Sequence, residues 1–149
     1  MKKLLIYCSF TGNGDVVASR FLENGYELRK VIEKHKMPKS FFFSVLEGGF
    51  RAGINAKGKL VNYDSDVSSY EEIVIASPIW NGRLTPIANS IIKQTNLKDK
   101  KLTFVFCAGS GEGKHALKKI NKLFPEVKVV FLKEPKKYPE ELDKLKELF

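Results

Sequence analysis

The sequence predicts an α/β domain: a five-stranded parallel sheet in the order 2-1-3-4-5, with helices on both faces. Three observations predict it. Four short apolar runs, Lys3–Tyr7, Ile73–Ala76, Leu102–Cys107 and Val127–Leu132, are β-branched or aromatic, as suits parallel strands covered on both sides. Helix-period segments fill the gaps to give βαβαβαβαβα, an order that implies right-handed crossovers. The chemically unusual residues stand just after the apolar runs, where doubly wound sheets bind ligands.

The first strand, Lys3–Tyr7, runs into Cys8-Ser9-Phe10-Thr11-Gly12-Asn13-Gly14, and a helix is predicted over Asp15–Glu23. Val17 and Phe21 stand four apart in it, and Asn24-Gly25 is a stop signal. Tyr26–Ile32 is a weaker strand interrupted by Glu27, Arg29 and Lys30, as expected at a sheet edge. Ser40–Phe50 carries the stripe Phe42, Phe43, Leu46 and Phe50, closing at Gly48-Gly49. After the third strand, Thr85-Pro86 supplies a helix cap and a proline at the first helical position, followed by Ile87, Ile91 and Ile92. The last two helices, Lys114–Phe124 and Pro139–Phe149, bury Leu117, Ile120 and Phe124, and Leu142, Leu145 and Phe149.

A length of 149 residues suits one domain spanning 1–149, with a substantial core. No apolar run approaches a membrane span, and Leu4–Tyr7 is too short for a signal peptide, so a cytoplasmic protein is expected. Cys8 and Cys107 do not make a disulfide scaffold. With His35 and His115 they form no spaced metal motif, so they are expected to be buried thiols. The net charge of +9 is uneven. Residues 1–60 hold eleven basic and five acidic side chains, 61–97 two and four, and 98–149 thirteen and eight. The basic flanks favour anionic ligands or an acidic partner. No Arg-rich or aromatic-interleaved stretch points to nucleic acid.

Three loops carry the candidate site. In the first, Ser9 and Thr11 offer hydroxyls, Gly12 and Gly14 let the backbone approach a ligand, and the following helix start favours an anion. Together they make a cup for a phosphate, although Asp15 places a carboxylate beside it. The second, Ser77-Pro78-Ile79-Trp80-Asn81-Gly82-Arg83, holds the only Trp of the chain, placed to stack on a planar ligand. The third, Cys107-Ala108-Gly109-Ser110-Gly111-Glu112-Gly113, leaves backbone amides open to a ligand edge.

Ser9-Phe10-Thr11-Gly12-Asn13 resembles the flavodoxin phosphate loop, whose pattern is hydroxyl-x-Thr-Gly-Asn-Thr. Ala76–Gly82 is similar to that family's second loop, and Cys107-Ala108-Gly109 stands where its third begins. Met37–Phe43, running into Gly48-Gly49-Phe50, resembles the wider group of small flavodoxin-like proteins. The resemblance implies a flavodoxin-like three-layer sandwich that binds FMN. Its cofactor contacts would come from Ser9, Phe10, Thr11, Gly12, Asn13 and Gly14, then Pro78, Ile79, Trp80, Asn81 and Gly82, then Cys107, Ala108, Gly109 and Gly111.

The implied function is electron transfer or NAD(P)H-linked reduction, with a redox partner protein or a nicotinamide nucleotide. The shuttle form sandwiches the ring, and Tyr63, Phe50 or Tyr70 could supply its second face. The reductase form leaves that face open. Three departures stand out: Gly14 replaces the pattern's last Thr, the third loop lacks an aromatic, and the chain is basic. A hydroxyl restored at position 14 is expected to tighten FMN by about 1 kcal/mol.

Two rivals share the fold. A cysteine phosphatase would use Cys8 but needs C-x5-R; the chain has Gly14 and Asp15 there instead. A receiver domain needs acids at the ends of strands one and three, which are absent. The alternative from another class is a flavodoxin-like module without flavin that binds a protein or nucleic acid, for which Gly14 and Asp15 speak.

Overall fold

A computed structural model describes residues 2–34 and 59–149. The predicted helix Ser40–Phe50 and the stretch Met37–Phe43 lie outside the described residues. The elements are β1 Lys3–Tyr7, α1 Asn13–Glu23, β2 Glu27–Lys30, β3 Glu72–Trp80, β4 Arg83–Leu84, α2 Pro86–Gln94, β5 Lys101–Ala108, α3 Lys114–Leu123 and β6 Lys128–Lys133. A 3₁₀ helix, Pro139–Leu148, follows.

The strands lie in the order β2-β1-β3-β5-β6, all parallel, with the short β4 antiparallel to β3. Counting only the parallel strands, this is the expected 2-1-3-4-5. The period-two alternation of strand side chains divides the core between two faces. Leu5, Tyr7, Val74, Ala76 and Val105 pack against Val17, Ala18 and Phe21 of α1 and against Leu142 and Leu145. Leu4, Ile6, Ile73, Ile75, Phe104 and Phe106 pack against Ala88 and Ile91 of α2 and Ala116 and Ile120 of α3. Phe21, Phe104 and Ile6 are fully buried, and each such side chain contributes roughly 1.5–3 kcal/mol of transfer free energy.

Three elements shift a boundary by two residues or more from expectation, and a fourth differs in helix type. The first helix starts at Asn13 rather than Asp15, because Gly12 takes a left-handed φ of 97° and turns the chain into the helix at once. The edge strand shrinks to Glu27–Lys30, where its pairing with β1 ends. The third strand runs on through the predicted second loop to Trp80, because Ile79 and Trp80 pair with Leu84 and Arg83. Asn81 and Gly82, both at positive φ, form the tight turn of this hairpin. The last helix is 3₁₀ rather than α.

Two candidate ring-covering tyrosines lie at the wrong end of the sheet. Tyr70 precedes β3 and donates its hydroxyl to Glu27 at the start of β2. Tyr63 shares a 2.7 Å hydrogen bond with Thr95, beyond the C-terminus of α2. Both therefore stand near the amino ends of the strands. At that end the buried Glu72 accepts from Tyr26 and pairs with Lys101 at 3.1 Å, which satisfies its charge. Phe50, the third candidate, lies outside the described residues.

Candidate functional site

The first loop is built around close backbone approach. Gly14 sits in the first turn of α1, and a Cβ there would stand 2.4 Å from the Cys8 carbonyl oxygen and 2.9 Å from Ser9 Cβ. The missing threonine thus reflects a helix start packed directly on the end of β1, and the tighter FMN binding expected from a hydroxyl at position 14 is reversed, because a side chain there meets backbone. Ser9 Oγ accepts from the Asp15 N–H at 3.3 Å, and Thr11 Oγ1 accepts from Asn13 Nδ2 at 3.2 Å. The Thr11 hydroxyl keeps its own proton to donate, while the Ser9 hydroxyl also faces the Asp15 carboxylate and helps to hold it ionised. The Val16 N–H bonds the Gly12 carbonyl at 3.2 Å. The N–H groups of Asn13 and Gly14 have no carbonyl one turn behind them in the helix. The result is a compact set of donors at the positive end of α1.

The carboxylate of Asp15 is neutralised. Lys30, at the end of β2, pairs with it at 2.8 Å, and that bond holds the Asp15 carboxyl below its usual range and raises Lys30. A second cation stands at the loop. Lys136, in the connection between β6 and the 3₁₀ helix, donates its backbone N–H to Asn13 Oδ1 at 2.9 Å. Its Nζ lies 3.5 Å from the Thr11 carbonyl and 3.1 Å from where a Cβ on Gly12 would be.

Trp80 closes β3 half-buried, and its ring meets Phe10 edge-on with centroids 5.9 Å apart. This contact joins the first and second loops. A cleft of about 390 Å³ opens beside them, lined by Cys8, Ser9 and Phe10, by Pro78 and Trp80, by Lys30 at the end of β2 with Val31, Ile32 and Glu33 after it, and by Thr85 and Ile87 at the start of α2. Thr85 caps α2 by accepting from the Ala88 N–H at 3.2 Å. Phe10 is 48% exposed, an aromatic face left in solvent at the mouth of a site.

The remaining candidates are close by but do not line this cleft. Ile79 is core, while Asn81 and Gly82 are the hairpin turn. The Gly82 carbonyl accepts from the Ala116 N–H at 2.9 Å, tying the hairpin to the start of α3. Cys107 and Ala108 are buried at the end of β5, with Cys107 beside Pro78 in register. Gly109 is exposed, and Gly111, at φ 78°, donates to the Ala108 carbonyl at 3.2 Å. All three loops thus emerge at the carboxyl ends of β1, β3 and β5.

Cys8 has none of the features of a nucleophile. It is buried, its thiol donates to Ser77 Oγ at 3.6 Å, and burial pushes it up to about 11. Burial likewise pushes Cys107 up to about 12. Among the described residues no group of His, Cys, Asp and Glu could hold a metal ion, and no helix is long and apolar enough to cross a membrane.

The sequence missed Lys30 and Lys136. The strand order could have exposed Lys30, since it puts the end of strand two beside the first loop. Lys136 gives no local signal, standing 125 residues from Thr11.

No protein-family model matches the chain, and no curated protein matches it. Solved structures do. A candidate flavoprotein from Bacteroides eggerthii superposes with a TM-score of 0.74 at 17% identity, over 86% of this chain and 84% of that one. A candidate flavoprotein from Bacteroides uniformis gives 0.66 at 20%, over 86% and 85%. A flavoprotein from Lactobacillus acidophilus, solved in complex with FMN, gives 0.65 at 19%, over 86% and 89%. At these identities the likeness establishes the fold, and the chain has the fold of these flavoproteins.

Proposed function

We propose that the protein is an FMN-binding flavoprotein acting in electron transfer or NAD(P)H-linked reduction. One observation carries this reading: the loop from Ser9 to Gly14 brings two hydroxyls, free helix-start N–H groups and a left-handed Gly12 to a single point beyond β1. These donors fit a phosphate monoester. The aromatic pair Phe10 and Trp80 stands next to the loop and suits a flat ring. The Lactobacillus acidophilus protein with the same fold binds FMN, which supports the same ligand here.

When bound, the isoalloxazine supplies the redox chemistry. The chain's residues bind and orient it. Ser9, Thr11 and the α1 start hold the phosphate end, and Trp80 stands beside the ring. The described residues of the site hold no carboxylate–histidine pair that would mark acid–base catalysis. The two grounds for a flavin-free module weaken on the geometry. Gly14 is required by packing, and Asp15 is paired with Lys30. Adding FMN to the purified protein and recording the flavin absorption bands tests the reading. A shifted, saturable spectrum is expected, and a spectrum equal to free FMN at all ratios would refute it.

A further inference from the structure

We infer that Lys136 is a phosphate-binding residue of this site and sets its preference for the phosphorylated flavin. This rests on the FMN reading above and adds to it a cation from the far end of the chain. Three observations lead there. The Lys136 main chain is pinned to the α1 start by the 2.9 Å bond from its N–H to Asn13 Oδ1. Its side chain is folded back over Gly12, with Nζ 3.5 Å from the Thr11 carbonyl. Among the described residues Lys136 makes no close ion pair, whereas Lys30 is paired with Asp15 at 2.8 Å.

The ammonium is held against a neutral carbonyl, and the nearest carboxylate to act on it, Asp15, has its close ion pair with Lys30 and feels Lys136 only as a weaker, longer-range charge. A phosphate dianion entering the loop would supply the counter-charge. The loop glycine makes room for this arrangement, since a Cβ at position 12 would fall 3.1 Å from Nζ and 3.2 Å from Cδ of Lys136. The two lysines then divide their work. Lys30 cancels the carboxylate that would repel the ligand, and Lys136 attracts the phosphate directly. Riboflavin, which lacks the phosphate, should gain nothing from Lys136.

The test measures FMN and riboflavin affinities by Trp80 fluorescence for the wild type, Lys136→Met and Lys137→Met. Lys137 is the next residue, exposed, with its ammonium over the Tyr138 ring 5.3 Å from the centroid, so its loss removes the same net charge without touching the loop. Lys136→Met should weaken FMN roughly fivefold, the scale of an exposed ion pair, and leave riboflavin unchanged. Lys137→Met should leave both unchanged. The FMN preference of the wild type should also shrink as salt is raised, and that of Lys136→Met should respond less. Equal losses in the two variants would assign the effect to overall charge and overturn the inference. FMN binding that needs Thr11 but ignores Lys136 would overturn it while leaving the FMN reading intact. A wild type that binds no FMN would overturn both.

Discussion

Replacing Gly14 with alanine sets a methyl group 2.4 Å from the Cys8 carbonyl oxygen, 2.9 Å from Ser9 Cβ and 3.1 Å from the Cys8 carbonyl carbon. Cβ contacts under 3.0 Å are essentially never found, so something must move. The obstructing atoms are mostly backbone, and that backbone is tied down. The Cys8 N–H bonds the Ala76 carbonyl at 3.1 Å, and Ser9 Oγ holds the Asp15 N–H. Overpacking costs ~1–3 kcal/mol in general, and a contact as short as this against backbone belongs in the upper part of that range, ~2–3 kcal/mol. Alanine recovers at most ~1 kcal/mol through helix propensity. The net loss is then about 1–2 kcal/mol, which lowers Tm by roughly 2–8 °C for a domain of this size. Thermal denaturation followed by circular dichroism measures it. Gly14→Thr should be worse, and FMN binding should weaken in both variants because the clash distorts the cup itself. An alanine variant as stable as the wild type, or a threonine variant that binds FMN more tightly, would refute the close approach of α1 to β1.

Thr11→Ala should weaken FMN by about 1 kcal/mol and riboflavin hardly at all, since only FMN carries the phosphate; equal losses in parallel titrations would remove the phosphate from this loop. Trp80→Ala should cost FMN binding ~1 kcal/mol and shift the reduction potential of the bound flavin, measured by dye-coupled reduction; an unshifted potential would take Trp80 off the ring face. Burial raises Cys8 to about 11 and Cys107 to about 12, both above the unfolded value of 9.0. Above pH 9 the unfolded chain sheds these protons while the folded one keeps them. The thiols' stabilisation is therefore whole below that pH and falls as pH rises toward the folded values, by up to ~1.4 kcal/mol per pH unit and thiol. Between pH 8 and about 10.5, Tm should fall faster in the wild type than in a Cys8→Ala, Cys107→Ala variant, and parallel curves would refute the buried thiols.

Strand order and face assignment were legible because they follow from apolar patterning. The runs Lys3–Tyr7 and Leu102–Cys107 lie within the observed strands, and Thr85-Pro86 caps α2 as its chemistry requires. The hairpin at Trp80 was not legible. Ser77 and Pro78 look like strand terminators, yet Pro78 is tolerated within β3, in register with Cys107 of β5, and the strand continues to its pairing with β4. In the candidate site, the gathering of hydroxyls and helix-start N–H groups at one point was legible from local chemistry, since hydroxyls, glycines and a helix start are contiguous. Asp15 and Gly14 looked like defects there. Their explanations are a lysine fifteen residues away and a backbone contact across a turn, and neither is visible locally. Lys136 reaches the loop only through the packing of the 3₁₀ helix and α1 on one face of the sheet.

In the proposed complex the phosphate of FMN sits on the Ser9–Gly14 loop with the flavin beside Trp80. Titrating the protein with FMN and with riboflavin while recording Trp80 fluorescence tests it most directly, because the chain has no other Trp. After correction for flavin absorption, FMN should quench the signal saturably, and riboflavin should do so only at distinctly higher concentration. No quenching at any FMN concentration would take the flavin away from Trp80, and the same affinity for both flavins would take the phosphate off the Ser9–Gly14 loop.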